Sequence, residues 1–158
     1  MPIHIDHASP EDAAGIATMV GELLREIMAV IGAPAFGFHE AQTEARARSW
    51  MTEGRYRVLL ARDGAGGEPV GFLALYEGYA LYAERAFGTI PELFVRSAYR
   101  SQGGGAALLA EAVRLGRAKG WTRIEVTTPP LPRFDRTLAF YQRQGFSISG
   151  GRKLKLAL

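Results

Sequence analysis

Ile90-Pro91-Glu92-Leu93-Phe94-Val95 is followed, after Arg96 to Tyr99, by Arg100-Ser101-Gln102-Gly103-Gly104-Gly105-Ala106. The first six residues close an apolar run that starts at Thr89 and reads as a strand. Beyond the glycines, Leu108, Ala112 and Leu115 form one apolar stripe with Leu109 and Val113 beside it, which predicts a helix from about Gly105 to Lys119 ended by Gly120. A strand therefore enters a glycine-rich turn that opens directly onto a helix. Glycines let the backbone approach a bulky anion, and a helix start presents unpaired N–H groups and a partial positive charge. The arrangement suits a pyrophosphate, with Arg100 and Gln102 as side-chain donors nearby. It is not a dinucleotide fingerprint, because G-x-G-x-x-G and the following acid are missing, and it lacks the lysine of a P-loop.

Working outward from this stretch, Arg55 to Arg62 and Pro69 to Tyr76 are two strand-like runs separated by the hairpin loop Asp63-Gly64-Ala65-Gly66-Gly67. Upstream, Ile3 to Asp6 alternates like a short strand. Ser9-Pro10-Glu11-Asp12 reads as a helix start, with Ser9 as N-cap, Pro10 in the first position and Asp12 completing a capping box. Ile16, Met19, Val20, Leu23, Leu24, Ile27 and Ile31 follow at helical spacing until Gly32-Ala33-Pro34. A second helix is expected from about His39 to Met51, with Glu44 and Arg48 spaced as a pair and a thin apolar face. Downstream, Arg123 to Thr127 reads as a strand broken by Pro129 and Pro130. Asp135 is expected to cap a short helix closed by Gly145, and Lys153 to Leu158 to form a final strand. The order β-α-α-β-β-β-α-β-α-β, with no repeat or linker, predicts one α/β domain over residues 1–158.

The bulk properties fit that reading. The chain has 158 residues, 47% hydrophobic and 22% charged, an ordinary globular balance. No apolar run approaches the roughly 18 residues of a membrane helix, and the N-terminus lacks the pattern of a secretory signal, so no membrane and a cytoplasmic location are expected. With no cysteine, disulfides, thiolate metal ligands and a cysteine nucleophile are excluded within the chain. The net charge of +3 is spread without a basic run or an aromatic-basic ladder, so nucleic acid is not the expected partner. His4, Asp6 and His7 imitate a metal site but read as a strand end, and no metal is expected. Trp50 and Trp121 read as core or interface residues.

The residues quoted first resemble the GNAT superfamily. Its signature is a strand ending in Val, a few residues, then R/Q-x-x-G-x-G/A opening a helix, and Arg100 to Gly105 matches it. A second signature, a helix reading roughly F-Y-x-x-x-G-F, is met by Phe140-Tyr141-Gln142-Arg143-Gln144-Gly145-Phe146. Both occur in order, one strand apart, and the element order matches over essentially the whole chain. The resemblance implies the GNAT acyl-CoA N-acyltransferase fold, a mixed twisted sheet with helices on both faces. It also implies an acetyl-CoA-dependent N-acetyltransferase.

By position, the resemblance places Leu93, Phe94 and Val95 where a strand splayed from its neighbour pairs with the pantetheine arm. Ser101, Gln102, Gly103, Gly104, Gly105 and Ala106 supply amides to the pyrophosphate, with Arg96 and Arg100 in reach of the anionic cofactor. Thr127 and the start of the last helix, including Phe134 and Thr137, flank pantetheine and adenine. Tyr141 aligns with the tyrosine that protonates the leaving thiolate, a role suited to a phenol that is neutral at pH 7; the alternative is a helix tyrosine packed in the core.

Glu92 is the candidate base for an amine that arrives as ammonium, and burial would favour the role by raising its pKa. Its alternative is a surface acid or a strand residue paired with an arginine. Under two-residue alternation Glu92 faces the wrong side unless Pro91 marks a bulge. The stretch from Gly71 to Val95 is most similar to diamine acetyltransferases. That subgroup reads E-D-L-F-V where this chain has Pro91 to Val95, so Pro91 stands in place of the usual glutamate. Ser101 and Gly104 also depart from the family's Gly and aliphatic residue. Glu77, Glu84 and Glu92 are candidates for an acidic polyamine cleft or for scattered surface acids. The expected reaction is direct transfer to a small-molecule primary amine in a ternary complex, in a homodimer. The rivals are acetylation of a protein or peptide and a non-catalytic acyl-CoA sensor.

Overall fold

The computed structural model describes residues 2–158. The chain divides into two compact units, Met1–Thr127 and Thr128–Leu158.

In the first unit, β1 (Ile3–His7) leads through the 3-10 turn Pro10–Asp12 into α1 (Ala13–Ile31) and α2 (Glu40–Thr52). The hairpin β2 (Arg57–Asp63) and β3 (Pro69–Gly78) comes next, then β4 (Phe87–Ile90), β5 (Leu93–Val95), α3 (Gly104–Lys119) and β6 (Ile124–Val126). The capping box forms, the Ser9 amide donating to Asp12 Oδ2 at 2.9 Å. Glu44 and Arg48 pair at 3.0 Å as their spacing predicts. The strand order is β1-β2-β3-β4-β6, with β5 pairing β3. All pairs are antiparallel except β4 with β6, so the sheet is mixed as expected.

Alternation along β2 and β3 divides the core between the two faces of the sheet. Val58 and Leu60 of β2, Phe72 and Ala74 of β3 and Phe94 of β5 meet Ile16 and Met19 of α1 on one face, where Met51 of α2 also packs. Leu59, Leu73 and Leu75, also fully buried, point the other way, and α3 crosses that side of β2 and β3 with Leu108, Leu109, Ala112 and Leu115 buried. Trp121 is a packing residue: a Cβ on Gly88 would lie 2.3 Å from its ring and one on Gly116 2.9 Å from it.

The run predicted as one strand, Thr89 to Val95, is two. Thr89 lies opposite Tyr76 and Leu93 opposite Leu73, so three residues of this run, Ile90, Pro91 and Glu92, face the two residues Ala74 and Leu75. That is a β-bulge, and it falls at a proline, which cannot donate to a ladder. Beyond it the alternation of side chains is reversed. β6 ends opposite Ile90, so among the described residues no strand pairs with the outer edge of β5.

The second unit contains α4 (Asp135–Arg143). Asp135 is its first residue rather than its cap, which is Phe134. The expected strand at Lys153–Leu158 is not formed; these residues have no regular structure and Leu154, Leu156 and Leu158 are exposed. The alternating Leu-Lys pattern is suited to a sheet, but a strand needs a neighbour for its backbone, and the second unit contains none among the described residues. Among the described residues no helix is long and apolar enough to cross a membrane.

Candidate functional site

The bulge, the open edge of β5 and the start of α3 lie in one stretch of the first unit. The amide of Ala74 donates to the Glu92 carbonyl at 2.9 Å and that of Arg96 to the Val70 carbonyl at 2.8 Å. Antiparallel pairing then turns the backbone groups of Phe94 toward β3 and those of Leu93 and Val95 toward the open edge. The amide of Val95, not that of Phe94, is thus the strand donor left for an external acceptor. Its carbonyl already accepts from Arg100 Nε at 2.8 Å.

After β5 comes the 3-10 turn Ser97–Tyr99, then the glycine turn. Ser101 is held at φ 67° and Gly103, the N-cap of α3, at φ 83°. The left-handed region is natural for Gly103 and costly for Ser101. Among the described residues no side chain caps this helix, so its first-turn amides, Gly104 to Ala106, point outward without an intrahelical partner. A Cβ on Gly103 would meet nothing within 4 Å, so open space lies against the turn where an anion would sit. Gln102 instead turns back, Nε2 donating to the Ala98 carbonyl at 3.4 Å.

Both arginines beside the turn are held by α1. Arg96 donates to Glu22 from Nε and Nη2 at 3.1 and 2.9 Å, and to the Pro69 carbonyl from Nη1 at 3.1 Å. Arg100 donates to Glu26 from Nη1 and Nη2 at 2.7 and 2.6 Å. Sequence reasoning missed these partners. The signal was the matching four-residue spacing, Glu22 and Glu26 on one side, Arg96 and Arg100 on the other.

Because of the bulge, Glu92 points to the same face as Phe94, toward α1 and α2. There Tyr56 Oη donates to its Oε2 at 2.5 Å. Burial pushes the Glu92 carboxyl above its ordinary range, with the Tyr56 hydrogen bond pulling the other way. Burial, and then Glu92 itself, push the Tyr56 hydroxyl well above the usual tyrosine range. Tyr56 was not anticipated, although the hairpin register could have found it: extended one residue, it sets Tyr56 opposite Tyr76. Glu77 belongs elsewhere. It accepts from Tyr79 Oη at 2.5 Å and Trp121 Nε1 at 2.6 Å on the opposite face, so Glu77 and Glu92 do not share one acidic cleft.

His4 and His7 diverge, His4 meeting Asp6 at 3.0 Å and His7 meeting Glu111 of α3 at 2.7 Å. Thr127, directly after β6, is exposed. Phe134, Thr137 and Tyr141 belong to the second unit. Within that unit Tyr141 is buried, its ring 5.4 Å from Phe140 and 5.5 Å from Phe146, edge-on to the latter. Burial pushes its hydroxyl up to about 12, so it remains a proton donor throughout the neutral range.

Comparison with solved structures finds this fold repeatedly. An aminoglycoside acetyltransferase from an uncultured soil metagenomic sample matches with a TM-score of 0.76 at 18% identity, over 99% of this chain and 96% of that one. A ribosomal-protein-alanine N-acetyltransferase from Brucella melitensis biovar Abortus 2308 matches with a TM-score of 0.71 at 17% identity, over 98% of this chain and 99% of that one. A transcriptional regulator from Bacillus halodurans C-125 matches with a TM-score of 0.77 at 25% identity, over 99% of both chains. No curated protein matches the sequence. The fold is the GNAT fold. The model of the acetyltransferase (GNAT) family, whose members use acetyl-CoA, matches residues 24–146. That match spans the bulge, the glycine turn and the Phe140–Phe146 signature, and with it the chain belongs to the acetyltransferase (GNAT) family and is an N-acetyltransferase.

Proposed function

We propose that this enzyme acetylates a primary amine of a small molecule by direct transfer in a ternary complex, residues 1–158 working as one domain. The observation that carries the reading is Glu92: a carboxylate with a raised pKa, turned by the bulge onto the α1/α2 face beside the open edge of β5. Acetyl-CoA supplies the acetyl group as a thioester. The residues present fit it, since the open space against Gly103 and the outward amides of Gly104 to Ala106 suit a pyrophosphate. Ser101, Gln102 and Arg100 flank that turn, and Leu93 to Val95 offer an unpaired strand edge to the pantetheine arm. Thr127, Phe134 and Thr137 complete the cofactor set.

In this reading the Val95 amide is aimed at the thioester carbonyl, where negative charge grows. Glu92 takes the proton from the substrate ammonium, directly or through water, and a raised pKa brings it closer to the task. Tyr141 gives its proton to the departing thiolate. Support for a small acceptor comes from the similarity of Gly71 to Val95 to diamine acetyltransferases and from neighbours that are aminoglycoside acetyltransferases, one in complex with sisomicin.

Thiol release measured across polyamines, aminoglycosides and peptides with free N-termini tests the proposal. Small amines should be acetylated faster than peptides. Clear preference for the peptides would overturn the small-acceptor reading and leave the protein-directed one.

A further inference from the structure

Two further aromatic side chains, Trp50 and Tyr76, flank Tyr56, the partner of Glu92. Trp50 lies near the end of α2, Tyr56 just before β2, and Tyr76 near the end of β3. The rings of Trp50 and Tyr56 are 5.4 Å apart and tilted by 49°, and those of Tyr56 and Tyr76 are 6.4 Å apart and within 14° of parallel. Register explains the second contact, since the β2–β3 register, extended one residue, sets Tyr56 opposite Tyr76 on the face that carries Glu92. The outer two rings remain open: Trp50 and Tyr76 are each 40% exposed.

Glu92 is part-buried, with one carboxylate oxygen engaged. Its Oε2 accepts from Tyr56, while Oε1 has no partner among the described residues. No unpartnered side-chain oxygen there is fully sealed, so Oε1 keeps some contact with solvent. A carboxylate bonded to the middle ring of an aromatic cluster whose outer rings are part-exposed is a combination suited to an organic cation. The ring quadrupoles attract the positive charge, the ring surfaces cover its hydrocarbon, and the carboxylate takes its N–H.

We propose that Trp50, Tyr56 and Tyr76, with Glu92 at their base, form the acceptor subsite, and that it selects a protonated alkylamine. The proposal rests on the function argued above and names what that site takes. Tyr56 is the positioning residue: its hydroxyl fixes the Glu92 carboxylate and leaves Oε1 toward the incoming ammonium. No other charged group among the described residues bears on Glu92; apart from burial, only Tyr56 does. On binding, an N–H of the ammonium donates to Oε1. In the reaction that proton passes to the carboxylate, and the freed lone pair attacks the acetyl thioester, the N–C bond forming as the C–S bond breaks and CoA leaves as the thiol.

The test combines binding and kinetics. Butylammonium, with butan-1-ol as the neutral control, is titrated against the full-length protein without acetyl-CoA and followed by calorimetry. The cation should bind and the alcohol should bind at least tenfold more weakly. Trp50→Ala and Tyr76→Leu, both at exposed positions, should each raise the amine KM about tenfold and leave the Kd for acetyl-CoA unchanged. Tyr56→Phe keeps the ring and removes the hydrogen bond that lowers the Glu92 pKa, so the acid limb of kcat/KM should move to higher pH. A role confined to packing leaves that limb in place. If small amines are turned over but neither wall variant changes KM and the limb stays put, the proposal is overturned and the functional reading survives. If no small amine is acetylated, the functional reading fails, and butylammonium binding lost in Trp50→Ala still supports the subsite, whereas equal binding of cation and alcohol removes it.

Discussion

Arg100 grips Glu26 through both terminal nitrogens, at 2.7 and 2.6 Å, and its third nitrogen holds the Val95 carbonyl at 2.8 Å. A phosphate that recruits this guanidinium must compete with Glu26. Arg100→Gln should loosen acetyl-CoA about tenfold, the scale of one charge-assisted hydrogen bond of roughly 1.5 kcal/mol. Glu26→Gln leaves the arginine in place without its carboxylate partner and should tighten the cofactor about threefold. Calorimetry reads both. If neither value moves, Arg100 serves only to tie β5 to α1.

Gly103 lies at φ 83° with open space where a side chain would go. Asn tolerates that conformation better than other non-glycine residues, so Gly103→Asn should fold with little loss of stability. Its side chain fills the space assigned to the pyrophosphate, and acetyl-CoA affinity should fall at least tenfold. Equal affinity in a folded variant would move the cofactor elsewhere.

Ionisation of Tyr141 is deferred to about pH 12 by burial. A leaving-group acid with that value stays loaded through the assay range, so activity should show no basic limb from this residue below about pH 11. Tyr141→Phe removes only the hydroxyl. Cofactor affinity should hold while kcat drops about 10²–10⁴-fold. Full activity in the phenylalanine variant makes Tyr141 a packing residue.

Glu111 links α3 to β1. Arg114 and then His7 hold its carboxyl down to about 2, against an ordinary 4.5. A carboxylate whose folded value is depressed adds stability above the unfolded value and loses it as pH falls through the folded one. Glu111→Gln should therefore lower Tm at pH 7, and the difference should shrink between pH 4.5 and 2. Melting curves across that window decide it; a gap that persists at pH 2 means that the charge is not responsible.

The elements that were legible are those whose signal is local. Ser9 with Asp12, the stripe from Ile16 to Ile31 and the loop of residues 63–67 each carry their own instruction. Two expectations failed because they needed information from outside the segment. Lys153 to Leu158 alternates like a strand, but alternation does not supply a neighbour to pair with. Thr89 to Val95 reads as one strand from its mostly apolar residues; Pro91 signals that a bulge is possible, and only the register against β3 shows that it forms. The site followed the same division. Motifs are what propose the glycine turn and Tyr141, whereas Tyr56, Trp50 and Tyr76 come from three separate segments and share no pattern along the chain.

The bulge between Ile90 and Glu92 makes this part of the chain sensitive to count rather than to composition. Exchanging one residue for another there leaves Glu92 on the α1/α2 face. Removing a single residue would restore the plain two-residue beat and carry Glu92 through the sheet to the side of α3. In that sense the extra residue acts as a reading frame for the strand. Evolution or an engineer can rewrite Pro91 and keep Glu92 where we propose a base, but can delete it only by moving that carboxylate to the other face.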